Sequence, residues 1–417
     1  MPWVKRAIFS LFPVIIQKWR GFFNNDLPPF PSKAIAELRF LMLAFRPSMH
    51  EPQILSENER IAWAVWASVP QVGPKRFALL RENFPDLQAA WQAPDNALRN
   101  IFGEGKTVNA LLAAKQDIDP NQNWKKLQDA NIQVVTIVDE NYPALLKETH
   151  NAPAVLFYRG TLPRQGQTLV AAVGTRVATT YGKTVTPLLV EPLARAGVGI
   201  VSGMALGIDG LAHEAALAAG GKTYAVVGTG LDQTYPPQHA QLAERIVKEG
   251  GAIISEFPLG TQPLPQNFPQ RNRIVAGMCA GTLVVEAGEK SGALLTAKLA
   301  LDENREVFCV PGNITQETSR GTNKFIRLGA QLVRNSDDIL VALNLQPAEA
   351  TSPVQIPNKN ATPEEKLVLS KLSHTPLHVD ELASLCDCDP SVINATLVVL
   401  ELQGYVRNVG GMHYTLA

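Results

Sequence analysis

Cysteine is scarce. Four occur in 417 residues: Cys279, Cys309, Cys386 and Cys388. That excludes a disulfide scaffold, and no Cys-x-x-Cys pair exists. Cys386-Asp387-Cys388 lacks the second ligand pair of a zinc site, so no metal centre is expected. This usage predicts a reducing, cytoplasmic compartment. No apolar run reaches about 18 residues, so no membrane span is expected. An excess of either charge is also missing. Lys+Arg and Asp+Glu each total 38, giving a formal net charge of zero. A strongly basic nucleic-acid binder and an acidic tail protein are excluded as whole-chain classes, while a local basic pocket is not.

Nucleotide loops are missing as well. No Gly-x-x-x-x-Gly-Lys-Ser/Thr occurs, so P-loop ATP chemistry is not expected. Ser202-Gly203-x-x-x-Gly207 is not Gly-x-Gly-x-x-Gly. It follows the second predicted strand, which ends in Ser202 where a dinucleotide fold often places an acid for the ribose. No cofactor is therefore expected. Nor does a base present itself for Ser202, and no Ser/His/Asp or Cys/His arrangement emerges. The chain reads as a protein that is not an enzyme.

What is present is ordinary globular composition, 46% apolar and 18% charged, with length for two to four domains. Residues 1–48 form an N-terminal extension; positions 1–50 hold seven basic and two acidic residues. The run 7–16 follows Lys5 and Arg6 but contains Pro13 and shows no small-x-small cleavage site, against a signal peptide. A basic amphipathic extension and an over-extended translation start remain, with Met49 as the preferred start. Residues 49–165 read as a small helical domain. Ile61, Val65, Val69 and Val72 recur at helical spacing, Gly73-Pro74 breaks the helix, and Phe77, Leu80 and Phe84 mark a second. That pattern suits a helix-hairpin-helix or SAM-like domain, and equally a bundle that only packs.

Over residues 166–340, short continuous apolar runs alternate with helical segments. Strands are predicted at 169–173, 199–202, 223–227, 252–255, 282–285 and 306–310. This is the βαβ signature of a parallel sheet covered on both faces. Residues 341–361 read as a linker. In 362–417, Thr362-Pro363-Glu364-Glu365 forms a capping box and Asp389-Pro390 opens another helix. Three helices and a hairpin give a winged helix.

In an open α/β sheet, ligands bind beyond the carboxyl ends of the strands. The glycine turns stand there: Gly174-Thr175-Arg176, then Ser202-Gly203 with Gly207-Ile208-Asp209. Phe268, Arg271, Asn272 and Arg273 follow the fourth strand; Lys290-Ser291-Gly292 follow the fifth. Outward amides, helix N-termini and arginines bind phosphate without catalytic groups. No acid lies between Glu256 and Glu286, while Arg271 and Arg273 do. Phe268 beside them suits an unpaired base stacked near its own phosphates. Phe268 in the core and an arginine in an internal salt bridge are the plainer alternatives. Asp209 is expected to be an N-cap that fixes its turn, not a general base.

These blocks resemble the DNA-processing protein A family, DprA/Smf. The match runs from about Met49 to the C-terminus. It includes Gly174-Thr175-Arg176 with Tyr181-Gly182, Ser202-Gly203-x-Ala205-x-Gly207-Ile208-Asp209, Phe268-Pro269-x-Arg271-Asn272-Arg273-Ile274, and Ser291-Gly292-Ala293-Leu294-x-Thr296-Ala297. The resemblance implies an α/β fold: an extended Rossmann-like parallel sheet, a small helical domain in front and a winged helix behind. It implies single-stranded DNA binding in natural transformation. Partners would be the recombinase RecA, single-strand-binding protein and a second copy of the chain through the Rossmann-like domain. Arg176, Phe268, Arg271 and Arg273 would line the DNA pocket, and Ser202, Gly203 and Gly207 would shape its floor. Asn272, Ser291 and Gly292 complete the candidate DNA-binding set, with Gly174 and Asp209 as turn and cap.

Residues 168–340 hold 15 basic and 15 acidic residues, so binding there would need an acid-free pocket. Residues 361–417 carry three basic and seven acidic residues, which predicts a winged helix that meets protein more than DNA. Two other functions fit parts of the sequence less well. A nucleotide phosphoribohydrolase would use Glu286 after a strand, but the Gly-Gly-x-Gly-Thr loop such enzymes tend to carry is missing. A sequence-specific regulator acting through the winged helix is opposed by its acidic balance.

Overall fold

The computed structural model describes residues 55–345, 362–373 and 376–416. The extension 1–48 and linker residues 346–361 lie outside the described residues. The chain divides into two compact units, one built from residues up to 129 with 133–142 and 153–156, the other from the rest.

The first unit is mainly helical. Helix Glu57–Ser68 begins at Ser56, whose side chain accepts from Glu59 N at 3.3 Å. It stops before Gly73, and Pro74 opens helix Pro74–Asn83 at a position where its missing N–H costs nothing. The predicted pair is therefore present, but four further helices follow: Leu87–Gln92, Asp95–Phe102, Lys106–Asp117 and Pro120–Asp129. Trp66, Leu80, Leu98 and Leu111 are fully buried in their core. Trp66 meets Trp91 edge-on with centroids 5.0 Å apart. All six tryptophans of the chain precede residue 125.

The main sheet has nine strands: β1 Gln133–Thr136, β2 Val155–Gly160, β3 Leu169–Val173, β4 Gly199–Ser202, β5 Thr223–Val226, β6 Ala252–Ser255, β7 Gly281–Val284, β8 Glu306–Cys309 and β9 Gln331–Leu332. Their order is β1-β2-β6-β5-β4-β3-β7-β8-β9. The six predicted strands are β3 to β8, with ends shifted by at most one residue. Every residue of β3 to β7 is buried, as continuous apolar runs require. Strand β2 runs antiparallel to β6, and the pairs from β6 across to β9 are parallel. From β3 the chain builds β4, β5 and β6 on one side, then crosses to β7 and β8 on the other. The switch point lies between β3 and β7, where a crevice opens at the strands' carboxyl ends.

The winged helix has helices Pro363–Lys371, Val379–Cys386 and Pro390–Leu402. Its capping box is complete: Glu365 N donates to Thr362 Oγ1 at 3.2 Å, and Thr362 N to Glu365 Oε2 at 2.9 Å. Strands β11 Val406–Gly410 and β12 His413–Leu416 form the hairpin, and the short β10 Leu377–His378 pairs with β12. Val368, Leu382 and Leu397 sit at its core. No single helix among the described residues is long and apolar enough to cross a membrane.

Candidate nucleic-acid interface

A cavity of about 820 Å³ opens at the β3/β7 switch point. Its first wall is the turn after β3. Gly174 has no room for a side chain, since a Cβ would lie 2.5 Å from Ile208 and 2.9 Å from Glu286 O. The turn is tied down by Thr175 N donating to Glu286 O at 2.8 Å and Ile208 N to Thr175 O at 3.1 Å. Gly207, at φ +80°, lets the second turn reach it; a Cβ there would meet Thr175 O at 2.3 Å. Ser202 is fully buried and donates to Ala172 O at 2.6 Å. Gly207 and Ser202 thus hold the loops from beneath, as floor residues would, and are not among the residues lining the cavity. Gly203 does line it.

The second wall is helix Asn267–Gly277. Phe268 is half-buried and stands in the cavity, not in the core. The Arg176 guanidinium lies over its ring, 5.6 Å from the centroid, and Tyr235 packs beside it at 5.8 Å. Asn272, Ser291 and Gly292 also line the cavity.

The two arginines behave differently from the sequence expectation. Residues i and i+2 on a helix point to opposite sides, so Arg271 and Arg273 cannot share one pocket. Arg271 points inward and is 4% exposed. Its Nη1 donates to Gly203 O at 2.5 Å and to Val226 O, and its Nε to Asn272 Oδ1 at 3.2 Å. Burial pushes this guanidinium down to about 10, against the pull of Asp209. Arg273 turns away, donating to Asn151 O and to Glu256. Glu256, at the edge of the acid-free span, is thus what neutralises it. Arg271 supports the cavity floor, and Arg273 does not line the cavity.

Asp209 is the second residue of helix Ile208–Ala218, so the N-cap expected there is Gly207 instead. It still fixes the turn: Oδ2 accepts from Gly203 N at 3.1 Å and Ala205 N at 3.2 Å. Burial pushes its carboxyl up, opposed by Arg271 and these amides. The cavity is also not acid-free, because Asp209, Glu289 and Glu317 line it. Four cations line it beside these three acids: Arg176 and Arg271 of the predicted set, and two outside that set, Lys290 and Arg320, both exposed at the cavity. Lys290 adjoins the Ser-Gly block and was within reach of sequence reasoning. Arg320 comes from helix Glu317–Arg327, which carries no motif.

Behind the floor, His213 is fully buried. Its Nδ1 lies 2.6 Å from Thr223 Oγ1, and that hydroxyl donates to Ile200 O at 2.8 Å, so the imidazole donates from Nδ1. Nε2 has no hydrogen-bond partner. Burial, then His239 and Arg271, drive the imidazole down to about 3. Its folded value lies below the unfolded value of about 6.5. The unfolded chain therefore takes up the proton first, and stability is full above about pH 6.5 and lost as pH falls towards 3. Between pH 6.5 and 5 the loss should approach about 1.4 kcal/mol per pH unit. Denaturant titrations should show this slope, and His213→Gln should flatten it. An equal slope in the variant would refute the assignment.

Among the described residues, no group of three His, Cys, Asp or Glu side chains is placed to hold a metal. Residues 133–344 match the family model of DNA recombination-mediator protein A, and residues 337–412 that of the DprA winged helix domain. Protein Smf of Synechocystis sp. is 34% identical over 396 residues, spanning 86% of this chain and 99% of that protein. DNA processing protein DprA of Bacillus subtilis is 40% identical over 273 residues, spanning 63% and 91%. The X-ray structure of DprA from Streptococcus pneumoniae, 33% identical, aligns with a TM-score of 0.60 over 69% of this chain and 98% of that one.

Proposed function

The chain belongs to the DNA recombination-mediator protein A family, that of DprA and Smf, and from that membership we propose that it processes DNA by binding single strands in the Arg176–Phe268 cavity, without catalysis. The observation that carries this reading is the stack at the cavity mouth, Arg176 over Phe268 beside Tyr235. Aromatic faces accept any unpaired base, and the neighbouring cations accept its phosphates. Lys290 and Arg320 extend that cationic edge, while Gly203, Asn272, Ser291 and Gly292 supply polar groups between. The phosphoribohydrolase alternative loses the residue it rested on, because Glu286 is buried and lies outside the cavity lining.

By the family resemblance, the protein protects incoming strands during natural transformation in the cytoplasm. It then loads RecA, helps displace single-strand-binding protein and works as a homodimer through the Rossmann-like domain. The winged helix supports a protein partner over DNA. Helix Pro390–Leu402 carries no basic residue and exposes Val392, Val398, Val399 and Leu402, with Asp389 as its N-cap.

Gel shifts of the full chain with single- and double-stranded oligonucleotides of one length test the reading. Single strands should bind more tightly, with log K falling by about 0.7 per phosphate contact on a log-salt axis. Equal affinity for duplex, or none for single strands, would overturn it.

A further inference from the structure

Glu286 looks misplaced in a protein that holds a polyanion. It follows β7, is 2% exposed and sits behind the cavity wall without lining it. Its partners are hydroxyls and an amide, not a cation. Thr179 N donates to Oε2 at 3.0 Å, Thr179 Oγ1 to Oε1 at 2.5 Å, and Thr318 Oγ1 to Oε1 at 3.4 Å. Each contact reaches an arm that carries a cavity cation.

The first arm is the turn 174–179, with Arg176 near its middle. It is held at both ends, by Glu286 O through Thr175 N and by the Glu286 carboxylate through Thr179. Thr179 Oγ1 in turn accepts from Gly182 N at 3.2 Å and so caps helix Thr180–Arg195. Gly182 makes room for the carboxylate, since a Cβ there would lie 2.2 Å from Oε2. The second arm is helix Glu317–Arg327, where Arg320 lies between two fastened residues. Ala287 N donates to Thr318 O at 2.7 Å, and Gly321 N to Ala287 O at 2.8 Å.

We infer that Glu286 is a positioning residue for anion binding: its buried carboxylate holds the arms bearing Arg176 and Arg320, so that removing its negative charge weakens the grip on a polyanion. The inference rests on the strand-binding reading. A carboxylate suits the task because it accepts along two oxygens at once, whereas an amide offers one. A simple charge count predicts the reverse sign, since losing a negative charge near phosphates should tighten binding.

The full chain is measured by fluorescence anisotropy with a labelled single-stranded oligonucleotide across a salt series. Glu286→Gln should weaken binding about tenfold, and the log–log salt slope should become less steep by about 0.7 to 1.4, one or two phosphate contacts. Thr179→Ala should act in the same direction, and Thr179→Ser, which keeps the hydroxyl, should restore both affinity and slope. A purely structural role would lower the unfolding midpoint and leave the slope alone. If Glu286→Gln does not fold, the Thr179 pair decides. Unchanged or tighter binding with an unchanged slope would overturn the inference while leaving the strand-binding reading intact. A wild-type chain with no affinity for single strands would overturn both.

Discussion

Replacing Arg271 with glutamate should cost the Rossmann-like domain about 3–5 kcal/mol. The guanidinium is buried, and its Nη1 serves two backbone carbonyls, Gly203 O and Val226 O. Its removal leaves both without their donor, and a buried unsatisfied group costs about 1–3 kcal/mol. The new carboxylate would also face Asp209, whose charge Arg271 now helps to balance. Denaturant unfolding followed by far-ultraviolet circular dichroism reads this directly. A midpoint equal to wild type would show that the guanidinium does not support the floor. Lost DNA binding in this variant would therefore report a lost floor, and it is a poor test of strand contact.

The opposite result is expected where the cations are exposed. Arg176→Glu combined with Lys290→Glu should lower single-strand affinity by about a hundredfold at low salt, or roughly tenfold per reversed contact. The salt slope should flatten by about 1.4 as two phosphate contacts disappear. Stability should stay within about 0.5 kcal/mol, because neither side chain is buried. Anisotropy and denaturation on the same preparations separate the two effects. Wild-type affinity in the double variant would move the binding surface away from this cavity.

The sheet was readable because its central strands are buried on both faces, so continuous runs such as 169–173 and 252–255 stand out without periodicity. The two-residue β9 is exposed and follows no such rule; β2, with its buried run Val155–Tyr158, and β1 lie before the predicted alternation begins, and none of the three was predicted. The turn after β3 and the aromatic at 268 were legible for a similar reason: chemistry at strand ends is local in sequence. The charges were not. An acid-free stretch of chain is not an acid-free pocket, because Asp209, Glu289 and Glu317 arrive from other segments of the chain. The same crossing brings Arg320 to the cavity and puts Glu256 on Arg273. Helical spacing alone could have separated Arg271 from Arg273. Arg271's role was beyond sequence, because its acceptors are carbonyls of residues 203 and 226, set by tertiary packing.

The confinement of all six tryptophans to the chain before residue 125 divides the molecule optically. Excited near 295 nm, the protein emits only from that part, with the buried Trp66 and its half-buried neighbour Trp91 as built-in reporters. No tryptophan stands near Phe268 in sequence or in strands β3 to β9, so events confined to them give no tryptophan signal of their own. A transition that coincides in tryptophan emission and in far-ultraviolet dichroism would mean that the two units unfold as one cooperative body. Separated transitions would mean that they unfold independently. The silent background also makes Phe268 a natural place for an introduced indole, whose quenching would count bases as they stack.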